Sequence, residues 1–156
     1  MLTAERDYAA LYREIGPALW HAIYAYSGGH RDLADDVVAE AFARALRYDR
    51  GIRRPSSWLY RTAFRIAAAE MRRRRSQSQI VDGPADVTTD VADVLMALRQ
   101  LSPSQRAAVY LHYRADLSVR EVASVMGTSP AAVKVHLHRG RKRLRELLGT
   151  GEAEDA

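Results

Sequence analysis

The chain has 156 residues, 47% of them hydrophobic and 28% charged, and no cysteine. That length holds one ordinary domain or two very small ones, and the absence of cysteine excludes a disulfide framework, a thiolate zinc site and a thiol nucleophile. Charge is distributed in blocks: +5 over residues 1–75 (14 basic, 9 acidic), −4 over 76–93 (none basic, 4 acidic) and +4 over 94–156 (10 basic, 6 acidic). Two basic blocks flanking a short acidic segment point to a polyanionic partner. Every basic residue except Lys134 and Lys142 is arginine, which suits bidentate contacts to phosphate and guanine. No apolar run is long enough for a membrane span, and Met1–Asp7 lacks the basic-then-apolar order of a signal peptide. The expectation is a soluble, cytoplasmic protein without membrane insertion.

Along the chain, residues 4–14 and 17–27 carry helical apolar spacing (Tyr8, Leu11, Tyr12, Ile15; Leu19, Ile23, Tyr26). Gly16-Pro17 reads as a break between them and Gly28-Gly29 as the end of the pair. Residues 32–48 form a third helix with Leu33, Val37, Ala41 and Leu46 on one side. Its acids (Asp32, Asp35, Asp36, Glu40) crowd the start and Arg44 and Arg47 the end, the polarity a helix dipole favours. Gly51–Ser57 reads as a loop, followed by a helix from Trp58 to Arg74 that ends in four consecutive arginines. Residues 76–91, with Gly83-Pro84 and no helical period, read as a flexible linker.

The second block opens with a cap at Asp90 and a helix through Leu98. Ser102-Pro103-Ser104-Gln105 is a capping box with proline at the first helical position, and Ser118-Val119-Arg120-Glu121 repeats the box. Ser129-Pro130 opens a helix to Leu148, stopped at Gly149; residues 150–156 read as a disordered acidic tail. Helix, Met126-Gly127-Thr128 turn and longer basic helix make a helix-turn-helix, whose second helix enters the major groove. Val133, Leu137, Gly140, Leu144 and Leu148 fall within about 80° of one another and form the buried stripe. Opposite them, Ala131, Lys134, Val135 and His138 are candidates for base contacts, with Ser129 and Ala132 at the entry to the helix and Arg139, Arg141 and Lys142 on phosphates. An exposed valine gains little from water but packs well on a thymine methyl. His136 and His138 point apart on the helix, so no metal site is expected.

Three stretches carry a family resemblance. Ala34–Leu46 (Ala-Asp-Asp-Val-Val-Ala-Glu-Ala-Phe-Ala-Arg-Ala-Leu), Trp58-Leu59-Tyr60-Arg61-Thr62-Ala63 with its arginine run, and Leu101–Arg106 with Val133–Leu144 resemble, in this order and spacing, the extracytoplasmic-function (ECF) sigma factors of bacterial RNA polymerase. The resemblance covers roughly residues 7–75 and 92–148. It implies an all-α fold of two small helical domains joined by a flexible linker: 1–75 a polymerase-docking and promoter-melting domain, 76–91 the linker, 92–149 a helix-turn-helix domain for the upstream element. The family's layout assigns Asp35, Asp36 and Glu40 to the clamp helices of the polymerase β′ subunit, and it places the C-terminal domain at the β flap. Arg53, Arg54, Ser57, Trp58, Tyr60, Arg61, Arg65, Arg72 and Arg73 match positions at the downstream element and its melting. Promoter DNA and core RNA polymerase are the partners implied, and an anti-sigma factor is a further one that the resemblance admits. Arg65, Ala69 and Val135-His136 depart from residues common in the family, so neither promoter element's sequence follows.

No cofactor and no chemistry of its own are expected, since catalysis would belong to the polymerase. A helical nuclease would need clustered metal-binding carboxylates or a histidine acid–base pair; the acids at 35, 36 and 40 show no basic or histidine partner in the sequence reading, and the histidines are scattered. The alternative is a LuxR-like or other helix-turn-helix regulator that binds duplex DNA without polymerase, since Ser129–Leu137 also resembles that module.

Overall fold

The computed structural model describes residues 7–76 and 89–149. These form seven α-helices and one short 3-10 turn: α1 (Tyr8–Tyr26), α2 (Arg31–Arg47), the turn Asp49–Gly51, α3 (Pro55–Ser76), α4 (Thr89–Arg99), α5 (Pro103–Tyr113), α6 (Val119–Met126) and α7 (Pro130–Leu148). Helices α1–α3 pack as one bundle and α4–α7 as a second. Much of the expected linker and all of the expected tail lie outside the described residues.

The expected break at Gly16-Pro17 is absent, and α1 runs straight through it. Proline removes one helical hydrogen bond and crowds the carbonyl four residues back. Here Pro17 and Arg13 both lie on the exposed side, where water can take that carbonyl. Leu19 and Ile23, both fully buried, carry the apolar stripe across the proline, and burying it outweighs the local penalty.

Helix α3 begins three residues earlier than Trp58. The Trp58 amide donates to the Arg54 carbonyl at 3.0 Å, which makes Pro55 the first helical residue. Proline is well suited there, but with arginine rather than Ser, Thr or Asp before it the start signal is silent in the sequence. Helix α2 is capped by His30, whose Nδ1 accepts from the Leu33 amide at 3.1 Å.

The C-terminal punctuation follows the sequence closely except at α4, which begins at Thr89, so Asp90 lies within the helix and not at its cap. Both capping boxes form, with Ser102 and Ser118 accepting from the amides of Gln105 (3.2 Å) and Glu121 (3.1 Å). Gly127 ends α6 at φ 68°, a left-handed conformation that glycine takes without strain. Ser129 caps α7 by accepting from the Ala132 amide at 3.1 Å. At Gly140 the backbones of α7 and α5 come so close that a Cβ would lie 2.7 Å from Val109 Cγ2. The buried stripe of α7 is shorter than expected: Val133, Leu137 and Gly140 are buried, Leu144 is half-buried and Leu148 is 40% exposed.

One buried cluster runs through both bundles, with Leu19, Ile23, Leu33, Val37 and Leu59 in the first and Leu111, Val122 and Val133 in the second. The bundles touch along α3 on α6, α1 on α5 and α1 on α4.

Candidate nucleic-acid interface

Helix α7 presents its basic face to solvent. Ser129, Ala131, Lys134, Val135, His138, Arg139, Arg141 and Lys142 are exposed and Ala132 is half-buried. Val135 keeps 46% of its surface, a large share for a valine in a helix whose opposite side is packed. Arg141 donates to the Tyr113 hydroxyl at 2.8 Å, which steers its guanidinium along the rim of α5.

The basic residues of the N-terminal domain are less uniform. Arg53, Arg54, Arg65, Arg72 and Arg73 are exposed, while Ser57, Trp58 and Arg61 are half-buried. Tyr60, expected at the nucleic acid, is buried at 7% exposure, and Arg61 donates to Ser124 Oγ of α6 at 3.1 Å. Arg73 grips Glu70 with Nη2 at 2.5 Å and Nε at 3.0 Å, and Arg74 Nε reaches the same carboxylate at 2.9 Å. The hydrogen bonds from Arg73 and then Arg74 hold the Glu70 carboxyl at a pKa of about 2. Arg74 Nη1 also contacts the ring nitrogens of His30. Part of the arginine run is therefore engaged within the protein.

The same bundle carries the acidic face, on α2. Asp35 and Asp36 are exposed and Glu40 half-buried. The expectation that these acids have no basic partner is corrected at Glu40: its Oε1 accepts from Arg44 Nε at 2.9 Å and Arg47 Nη2 at 3.3 Å. One helical turn separates Glu40 from Arg44, so the pair follows from spacing alone. The hydrogen bond from Arg44 is the main cause that lowers the Glu40 pKa. Asp35 accepts from the Trp20 indole at 2.7 Å, and that ring stacks on Tyr24 with centroids 5.0 Å apart.

Three features escaped the sequence reading. Trp20 fixes the direction of the Asp35 carboxylate from 15 residues away. Leu46 and Tyr48, exposed at 61% and 62%, line a cleft with Ile52, Trp58, Arg47 and Arg50, a surface where an aromatic ring and guanidinium groups meet. Arg106, 7% exposed, gives its guanidinium entirely to carbonyls: Leu98 at 2.8 Å, Leu101 at 3.1 Å, Arg99 at 3.3 Å and, across the domain boundary, Tyr26 at 2.5 Å. Burial, with Arg99 and Arg75 nearby, pulls its pKa down, while Tyr26 opposes them. Among the described residues no group of three or more His, Asp or Glu is placed to hold a metal, and no helix is long and apolar enough to cross a membrane.

Comparison with known proteins bears on both domains separately. The family profile "Sigma-70 region 2" matches residues 11–77 and "Sigma-70, region 4" matches residues 92–144. The RNA polymerase sigma factor CarQ of Myxococcus xanthus is 33% identical over 139 residues, covering 80% of this chain and 79% of its own. The ECF sigma factor BldN of Streptomyces coelicolor is 29% identical, over 90% of this chain but 60% of its own length. SigE of Mycolicibacterium smegmatis is likewise 29% identical, over 94% of this chain and 63% of its own. Among solved structures, the sigma factor RpoE of Bartonella quintana, in complex with the anti-sigma factor NepR, shares the fold with a TM-score of 0.84 at 24% identity, over 94% of this chain and 99% of its own. CnrH in complex with the cytosolic domain of CnrY gives a TM-score of 0.69 at 27% identity, over 92% of this chain and 88% of its own. With both family regions matched in order and a relative aligned over most of both lengths, the chain belongs to the ECF sigma factors of RNA polymerase, which are transcription initiation factors.

Proposed function

We propose that the chain docks on core RNA polymerase through the acidic face of α2 and directs it to promoters read by α7 and opened along α3. The observation that carries this is that one small bundle exposes both acidic and basic side chains, on different helices. Asp35 and Asp36 are exposed on α2, while Arg53, Arg54 and Arg65 are exposed on or before α3. An acidic face suits a basic protein partner, where it contributes orientation and association rate more than affinity. A basic, aromatic-edged face suits single-stranded nucleic acid. Docking on the β′ clamp helices leaves Asp35, held by Trp20, as the most directed contact.

On the promoter, α7 supplies Ala131, Lys134, Val135 and His138 to the base edges and Arg139, Arg141 and Lys142 to phosphates. Trp58, Tyr48 and the flanking arginines take an unstacked base and its backbone, offsetting the few kcal/mol that opening costs. The chain acts without a cofactor and catalyses nothing itself; phosphodiester chemistry stays with the polymerase, and the site of action is the bacterial cytoplasm. An anti-sigma factor is a fitting partner, since structures of two relatives were obtained with one or with the cytosolic domain of a partner.

Run-off transcription with purified bacterial core polymerase on fragments of the organism's own genome tests this. Discrete transcripts that need the protein, and that vanish when Asp35, Asp36 and Glu40 are changed to lysine, are the expected result. Absence of transcripts, together with a specific duplex shifted by the protein alone, would instead support a helix-turn-helix regulator independent of polymerase.

A further inference from the structure

Two neighbouring cations of α7 are held in different ways. Arg143 Nη1 donates to Glu146 Oε2 at 3.4 Å, so a carboxylate offsets its charge. Arg141 has no carboxylate partner among the described residues and gives Nη1 to a neutral group, the Tyr113 hydroxyl at the end of α5, at 2.8 Å. A phenol oxygen aims a guanidinium without cancelling its charge. An arginine aimed in this way has less rotamer freedom left to lose when it meets an anion.

Tyr113 is itself held from behind. Its neighbour His112 donates from Nδ1 to the Leu117 carbonyl at 2.8 Å, and the two rings meet edge to face with centroids 4.9 Å apart. The Leu117 amide in turn reaches the Leu111 carbonyl at 3.0 Å, which ties the turn after α5 back onto that helix. Yet 46% of Tyr113 stays open to solvent, so burial of its ring does not account for this ordering. The hydroxyl accepts from Arg141 and still has its own proton to donate. Most N–H donors of Arg141 are also unused among the described residues. Arg141 follows Lys134 by seven residues and His138 by three, which sets it on the flank of α7 that continues the proposed readout face.

We propose that Tyr113 and Arg141 form one composite clamp for a phosphate of duplex DNA, in which Tyr113 is a positioning residue that aims Arg141 and adds a donor of its own. This rests on the reading of α7 as the duplex-reading helix. The clamp carries no sequence information; it fixes register and orientation, as backbone contacts do. Because it draws on α5 as well as α7, it limits how far the recognition helix can roll in the groove. The hydrogen bonds to the phosphate are charge-assisted on the Arg141 side, the stronger kind.

A phosphate contact is independent of sequence, so a labelled duplex of random sequence serves as the probe. Binding of the full chain is followed by fluorescence anisotropy over about 50–200 mM salt. Tyr113→Phe keeps the ring and removes the hydroxyl. It should weaken binding about threefold and leave the slope of log affinity against log salt unchanged, since no charge is lost. Arg141→Ala should lower that slope by about 1. In the Arg141→Ala chain, Tyr113→Phe should cost less than about 1.5-fold, because the group it aims is gone. Unchanged affinity for Tyr113→Phe, or an equal loss in both backgrounds, would overturn the clamp.

Holoenzyme on a promoter mapped by run-off transcription gives an independent reading. In phosphate-ethylation interference, Arg141→Ala should abolish dependence on one upstream phosphate and Tyr113→Phe should weaken dependence on the same one. Effects on two different phosphates, or on none, would overturn the shared contact. Losses from Arg139→Ala and Lys142→Ala beside a neutral Tyr113→Phe would remove the clamp and keep α7 on the duplex. Neutral effects from Arg139→Ala, Arg141→Ala and Lys142→Ala alike would sink the reading of α7, and the clamp with it.

Discussion

Helices α3 and α7 are the two long basic helices, of 22 and 19 residues, each opening on proline. From composition they are near equivalents, yet the fold treats them differently. Helix α7 keeps its outer face clear, and among its hydrogen-bonded cations Arg141 and Arg143 reach only peripheral partners, Tyr113 and Glu146. In α3, Arg61 is bonded to the other domain and Arg73 and Arg74 to Glu70. Charge therefore tells which helix can meet a polyanion, and burial tells which one is free to.

The sharpest way to break this contrast is to unfold one side of it. Leu59 and Leu111 are both fully buried, one in each bundle. Truncating either to alanine should cost about 3 kcal/mol, the usual range for leucine in a packed core. Because one buried cluster spans both bundles, each variant should lower the midpoint of a single thermal transition. Two separated transitions in calorimetry, with only one moved by each variant, would show that the domains fold independently and that their contact contributes little.

A smaller effect tests the packing behind α7. Gly140→Ala would gain about 1 kcal/mol in helix propensity at an open site. Here the new methyl would meet Val109 Cγ2 at 2.7 Å, and Val109 is itself buried. Overpacking of this kind typically costs about 1–3 kcal/mol, so a net loss of about 1 kcal/mol in chemical denaturation is expected. A stabilised variant would mean that α7 can shift on α5 without penalty.

Much of this fold is legible in the sequence wherever a side chain caps its own helix. Ser102, Ser118 and Ser129 with their partners mark three helix starts correctly because the cap is a local hydrogen bond. The start of α3 stays silent because Arg54, before it, offers no capping side chain, whereas α2, read from its spacing to within one residue, carries the unusual cap His30. Pro17 misleads because its penalty is local while the compensation, burial of Leu19 and Ile23 against the bundle, is tertiary. For the site, the open face of α7 follows from helical spacing. The burial of Tyr60 and the roles of Arg106 and Trp20 do not, since each depends on a partner far along the chain: Arg106 reaches Tyr26 over 80 residues.

The open helix also allows base contacts to be separated from phosphate contacts. Val135→Ala removes apolar surface from the proposed readout face and should relax preference at one base pair by about 1 kcal/mol. Lys142→Ala should weaken all duplexes alike and reduce the salt slope by about 1. Competition binding with single-base variants of a mapped upstream element, repeated at several salt concentrations, distinguishes the two. A uniform loss from Val135→Ala would remove it from the base edges.

The smallest effect concerns the arginines that α3 keeps for itself. Glu70 has its pKa depressed from an ordinary value of 4.5 to about 2 by hydrogen bonds from Arg73 and Arg74. A carboxyl depressed on folding stabilises the native state above its unfolded pKa. That contribution is lost as pH falls from about 4.5 towards 2, as the unfolded chain takes up its proton first. The pairs are partly exposed, with 53% of the Arg73 side chain open to solvent, so screening by water keeps the contribution of each small. Glu70→Gln should thus be slightly less stable than the parent at neutral pH, and the gap should close below pH 4 in parallel denaturation curves. The same variant removes the carboxylate that Arg73 and Arg74 share, so on the proposed role of α3 its single-strand affinity should rise as its stability falls, which tests how far α3 trades internal pairing against nucleic-acid contact.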